Sequence, residues 1–147
     1  MGLTKTRKKM LTLQSGQLMF TAIANFILGA YTGVVMNLVA FVRNAICLKV
    51  KYTIALKLIF SAILVGLGLY ANNRGFLGIL PIIGTVLVTC CLDVENVLKL
   101  KVYYVIGQCL WIFYDFAVKN YVCTATDAFG IVSNMIGIIS VRKLQKD

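Results

Sequence analysis

The chain has 147 residues, of which 60% are hydrophobic and only 14% charged, about half the ~25% charged content of a soluble domain. That composition excludes a water-soluble globule, which needs a polar surface. The formal charge of +10, from 15 Lys+Arg against 5 Asp+Glu, would suggest nucleic acid in a soluble protein. Here the basic residues flank apolar runs, so they read as topology signals beside anionic lipid and not as a nucleic-acid surface.

The chain begins with the basic segment Lys5, Arg7, Lys8 and Lys9. The apolar stretch after it is too long for a signal peptide and reads as a first retained span. A bilayer core of about 30 Å takes roughly 20 helical residues. Six segments approach that length, at about 11–31, 33–48, 53–71, 76–92, 102–118 and 122–141. They are expected to be helices, because lipid leaves no partner for unpaired backbone groups. None shows the alternation of a barrel strand. The expectation is an all-α polytopic membrane bundle in one domain spanning 1–147.

Charge sets the orientation. With six spans, Lys5, Arg7, Lys8, Lys9, Lys49, Lys51, Lys99, Lys101, Arg142, Lys143 and Lys146 share one side, against Arg74 and Lys119 on the other. The positive-inside rule puts both ends in the cytoplasm. Arg43 and Lys57 fall inside spans near that side and are expected to snorkel to it. Tyr31, Tyr70, Tyr103, Tyr104 and Tyr121 read as interfacial anchors.

Polar residues inside the spans carry the functional expectations. Gln14, Gln17, Thr21 and Asn25 recur along one face of the first helix, and Gln108, Trp111 and Asp115 do so on the fifth. Such stripes must face protein or a water-filled cavity. Gly33-Val-Val-Met-Asn37 reads like Gly130-Ile-Val-Ser-Asn134, and Asn25-Phe26 like Asp115-Phe116. Spans one and two therefore look like a repeat of spans five and six. This implies a partial first bundle at 11–50, a linker helix at 53–71 and a second three-helix bundle at 76–143: a 3+1+3 parallel repeat lacking its opening helix.

Each candidate has two readings. Asn37 and Asn134 either bind a polar solute or tie helices together. Asp115 either binds a cation, proton or basic substrate, or reaches outer water and pairs with Lys119. Trp111 either stacks on a flat ligand or packs on neighbouring helices. Asn25 and Gln17 line either the bundle interface or a substrate path, Gln108 joins Asn25 among the candidate substrate-binding residues, and Asp127, Asp93 and Glu95 suit solvent. Pro81, the only proline, with Gly84, implies a kinked span, either a static bend or a hinge. Gly33, Ala40, Gly130 and Gly137 suit close helix packing.

An enzyme is not expected. There is no histidine, no paired carboxylate on one helix face and no G-x-S-x-G serine. The five cysteines form no CxxC pair and read as small apolar residues, so no metal or cofactor is expected.

These residues carry a resemblance. Asn25-Phe-Ile-Leu-Gly-Ala-Tyr-Thr-Gly33 with Asn37 and Arg43-Asn44, Ile79-Leu-Pro-Ile-Ile-Gly-Thr85, Leu110-Trp111 with Asp115-Phe116, and Asn134 with Arg142-Lys143 resemble the YgjV-type bacterial inner-membrane proteins, from about Lys5 to Lys146. The resemblance implies a multi-pass protein of the bacterial cytoplasmic membrane. The family usually carries a further helix before the segment matching Lys5–Lys9, which has no counterpart here. Its layout is similar to that of the SWEET and PnuC 3+1+3 transporters. In SWEET-like carriers an Asn on the third helix of each bundle faces the substrate, and Asn37 and Asn134 would match it. Pro81 matches one hinge proline, while the others are missing. The expected function is a small-solute permease. The alternative is a non-transporting scaffold or assembly partner, with a homo-oligomer among the possible states.

Overall fold

The computed structural model describes residues 6–144. Lys5 and Lys146, both part of the expected basic flank, lie outside the described residues. The described chain forms six α-helices: α1 (Arg7–Ile27), α2 (Tyr31–Lys49), α3 (Ile54–Tyr70), α4 (Ile79–Cys91), α5 (Val97–Ala117) and α6 (Tyr121–Leu144), with a short 3-10 helix at Gly75–Gly78. Each of the six expected spans is a helix, and among the described residues there is no strand. By length and composition α2, α5 and α6 are long and apolar enough to cross a membrane.

Polarity is inverted relative to a soluble bundle. Outward faces carry Phe20, Ile23, Phe26 and Ile27 on α1, and Phe129, Val132, Met135, Ile136 and Ile139 on α6, all more than half exposed. The α6 set follows a three-and-four spacing, so it is one stripe. The interior instead holds Asn25, Asn37, Arg43, Asn44, Gln108, Asp115, Asp127 and Asn134. Water would penalise that outer surface, whereas hydrocarbon matches it.

Pro81 falls at the third position of α4. A helix leaves its first four N–H groups without an internal acceptor, so the missing N–H of Pro81 costs no bond there. Before it the 3-10 turn runs directly into α4, so the helical winding changes just ahead of the proline.

The turn between α1 and α2 recurs between α5 and α6. Gly29 (φ 64°) and Lys119 (φ 62°) occupy the left-handed region. The N–H of Gly29 donates to Phe26 O, and that of Lys119 to Phe116 O, both at 3.1 Å. The N–H of Ala30 reaches Asn25 O at 2.9 Å, and that of Asn120 reaches Asp115 O at 2.8 Å. This pair of bonds around a left-handed residue is the Schellman C-cap. Asn25, Phe26, Gly29 and Tyr31 thus fall on Asp115, Phe116, Lys119 and Tyr121.

That register corrects the sequence match. Counting on from the turns, Asn37 falls on Asp127 and Asn44 on Asn134. Asn37 and Asn134 are not equivalent; they differ by about two helical turns.

Helix α5 packs on α4 and α6, α1 on α2, and α3 on α2 and α4. The α4–α5 contact is the tightest: a Cβ on Gly84 would stand 3.1 Å from Gly107 O, and one on Gly107 3.3 Å from Gly84 O. Apolar clusters close both ends of the bundle. One joins Met10, Leu11, Tyr52, Phe60, Leu92 and Leu100, where α1 and α5 begin and α4 ends. The other joins Ala30, Tyr114 and Val118, with Leu80 and Trp111 packed on it, at the opposite end.

Candidate functional site

Between these apolar layers lies a cavity of about 60 Å³. Its wall combines α1 (Gln14, Gln17, Thr21), α2 (Asn37, Ala40, Arg43), α4 (Gly84, Thr85, Val88), α5 (Tyr104, Gln108, Trp111, Asp115) and Asp127 of α6. Both polar stripes expected from the sequence face it: Gln14, Gln17 and Thr21 from one helix, and Gln108, Trp111 and Asp115 from the other.

The candidates divide. Asn37, Gln108, Trp111, Asp115 and Gly84 line the cavity. Asn25, Asn134 and Pro81 do not. Asn25 is fully buried, and its Oδ1 accepts from Asn120 Nδ2 at 3.0 Å. Asn134 is fully buried, and its Nδ2 donates to Gln108 Oε1 at 3.2 Å. At the equivalent point of the first pair, Asn44 Nδ2 donates to Gln14 Oε1 at 2.8 Å. In both halves an amide late in the second helix clamps a glutamine of the preceding one.

Asp115 sits two residues before the end of α5, yet only 1% of its surface is exposed. The expectation that it reaches outer water or pairs with Lys119 is overturned, because the α5–α6 turn folds over it. Among the described residues no ion pair joins it to Lys119. One oxygen, Oδ1, is buried without a hydrogen-bond partner. Its carboxyl shares the cavity wall with that of Asp127.

Asp127 corrects a second expectation. It is 6% exposed and not solvated. The register that pairs it with Asn37 turns it inward, where Gln17 Nε2 donates to its Oδ1 at 3.4 Å. Asn37 leaves Nδ2 buried and without a partner. The cavity thus contains an unused acceptor on α5 and an unused donor on α2.

Arg43 does not snorkel. It is fully buried. Its Nη1 donates to Thr89 Oγ1 at 2.6 Å, and its Nε and Nη2 both donate to Asn44 Oδ1, at 3.1 and 2.7 Å. Thr89 Oγ1 donates in turn to Thr85 O at 2.7 Å, and Trp111 Nε1 donates to Thr85 Oγ1 at 3.3 Å. A guanidinium has five N–H donors in a rigid fork. Fixed side-chain acceptors hold it at the cavity wall against a desolvation cost of several kcal/mol.

Tyr104 is not an interfacial anchor: it is 2% exposed, lines the cavity and donates to Gln14 Oε1 at 2.6 Å. Gly33 and Gly130 make room for polar side chains more than for helix backbones. A Cβ on Gly33 would meet the Asn25 amide at 2.8 Å, and one on Gly130 would collide with the Gln108 amide. Asp93 is at the surface as expected, where it pairs with Lys57 at 2.8 Å. That hydrogen bond holds its carboxyl below the usual range. Lys57 itself stays at the surface, 22% exposed.

Sequence reasoning missed Asn120, Thr85 and Thr89. Asn120 caps α6, its Oδ1 accepting from Cys123 N at 3.2 Å, while its amide reaches Asn25. An Asn directly before an apolar helix is an N-cap signal that the sequence does contain. Thr85 and Thr89 lie four apart on α4, a spacing that puts them on one face.

No curated protein and no solved structure matches the chain. The model of the Imp-YgjV family, described as bacterial inner membrane protein, matches residues 1–145. With its apolar exterior, its helical bundle and a match across nearly its whole length, the chain belongs to the Imp-YgjV family of bacterial inner membrane proteins.

Proposed function

We propose that the protein crosses the membrane six times, keeps both ends in the cytoplasm and carries a small polar solute bound in the central cavity. The observation that carries this reading is the cavity itself. It is walled by five helices, lies among buried polar side chains, and holds the unpartnered Asp115 Oδ1 and Asn37 Nδ2. Leaving a buried polar group unsatisfied costs about 1–3 kcal/mol, which a bound solute would recover.

The apolar layers support a carrier over a channel. The Met10–Leu100 layer and the Ala30–Tyr114 layer lie on either side of the chamber, so a solute in it sits between two apolar layers. Alternating access then requires one layer to part while the other stays closed. The junction of the 3-10 turn with α4, at Gly78–Pro81, is where we place the hinge, because the winding changes there and Pro81 lacks an N–H to donate.

Three helices satisfy length and hydropathy outright. The other three fit for stated reasons. Helix α1 has 21 residues, and its mean hydropathy is lowered by the stripe that faces the cavity. Helix α3 has 17, the lower limit for a span. Helix α4 is extended by the 3-10 turn before it. The 3+1+3 layout remains part of this proposal, with α3 as the spacer.

The test is uptake of labelled polar solutes into proteoliposomes. Asn37→Leu removes the free donor from the chamber and is expected to reduce uptake about tenfold. Asn134→Leu, outside the cavity, is expected to lower stability before it changes the apparent affinity. Equal uptake by wild type, Asn37→Leu and protein-free liposomes ends the carrier reading.

A further inference from the structure

The two ends of the cavity carry opposite chemistry, acidic at one and basic at the other. Asp115 and Asp127, both buried, form one side. Arg43 forms the other, six residues beyond Asn37 on α2 and so about 9 Å of helix rise nearer the cytoplasmic end. Among the described residues no ion pair neutralises Arg43, Asp115 or Asp127. A buried acidic pair and a buried guanidinium that face one chamber with no ion pair between them set up a field across it. That field suits neither a plain cation nor a plain anion, each of which would be drawn to one end and repelled from the other.

The unused hydrogen-bonding groups agree. Asp115 Oδ1 wants a donor and Asn37 Nδ2 an acceptor. A solute satisfying both must carry donor and acceptor groups. Size then limits it. A volume of about 60 Å³ has room for roughly four waters, close to the heavy-atom content of the smallest amino acids.

We propose that the cavity binds a small dipolar solute of amino-acid chemistry, its ammonium between Asp115 and Asp127 and its carboxylate toward Asn37 and Arg43. This rests on the carrier reading for its location, but binding and transport are separable. The ammonium supplies up to three donors to Asp115, Asp127 and Gln17. The carboxylate takes the amide of Asn37 and the N–H groups of Arg43 that Thr89 and Asn44 leave free.

The experiment uses the full chain in detergent for binding and in proteoliposomes for uptake. The probes are glycine, methylamine, acetate and glycerol. Glycine is expected to bind about tenfold or more tightly than each of the others. Asp115→Asn with Asp127→Asn should shift preference from glycine toward acetate, and Arg43→Gln should shift it toward methylamine. A swapped preference cannot arise from misfolding. Glycine binding no tighter than glycerol overturns the proposal in wild-type protein alone. If glycerol is nevertheless taken up in an Asn37-dependent way, the dipolar assignment falls and the carrier reading stands. If glycine binds tightly and is not transported, the assignment stands and the carrier reading falls.

Discussion

Asn25 and Asp115 hold the same place in two copies of one helix ending. The carbonyl of each accepts the N–H of the residue five positions on, at 2.9 and 2.8 Å, around a left-handed residue. The copies differ in chemistry. The amide of Asn25 is engaged by Asn120 across the bundle, while the carboxyl of Asp115 shares the cavity wall with Asp127. A single backbone device thus delivers an amide in one half and an ionisable carboxyl in the other.

The left-handed residue is glycine in the first copy and lysine in the second. Lys119 bears the Cβ strain of φ 62°. Lys119→Gly is expected to raise stability by up to ~1 kcal/mol, and Gly29→Ala to lower it by about as much. Thermal unfolding in detergent would detect both, with opposite signs.

Arg43→Lys keeps the charge and removes the fork. It loses the paired donation to Asn44 Oδ1 and the bond to Thr89 Oγ1. The expected cost is about 2 kcal/mol, since bonds made by a charged group are the stronger ones. Denaturant titration of the reconstituted chain measures it; a loss below a few tenths would mean that the guanidinium is free to leave the interior.

Gly130→Ala drives a methyl group into the Gln108 amide and displaces its bond with Asn134. A loss of about 1–3 kcal/mol is expected, the range for an overpacked interior. Combining it with Gln108→Ala should remove most of that loss. Additive effects in the double-mutant cycle would show that the two sites do not touch.

The Lys57–Asp93 pair predicts an acid dependence. Asp93 lies in the α4–α5 connection, and the Lys57 hydrogen bond lowers its pKa from the ordinary value. A lowered carboxylate pKa stabilises the fold above the unfolded value, near 4, and that contribution fades as pH falls through the folded one. The pair is open to solvent, 22% and 41% exposed, so at most ~1 kcal/mol is at stake, less in high salt. Asp93→Asn should therefore flatten the stability profile below pH ~4 and leave it almost unchanged near neutrality.

The six helices and the two polar stripes were legible before any tertiary contact was known. Length of apolar run and three-and-four spacing are local properties. The repeat was legible only in part. Matching Gly-x-x-x-Asn strings aligned Asn37 with Asn134, because such strings recur easily on apolar helices. The turn geometry at Gly29 and Lys119 moved the match by two turns and brought Asp127 opposite Asn37.

Arg43 and Asp127 mark the same boundary. From distance to a span end, each was expected to find water. What denies it to them is the neighbouring helix: Thr89 of α4 over Arg43, Gln17 of α1 over Asp127. Sequence by itself determined that this chain is an apolar-faced helical bundle, since hydrophobic content and periodicity act along one strand of chain. Which polar groups face one another, and which remain unsatisfied at the centre, was decided only by packing, because those distances are set between helices far apart in sequence.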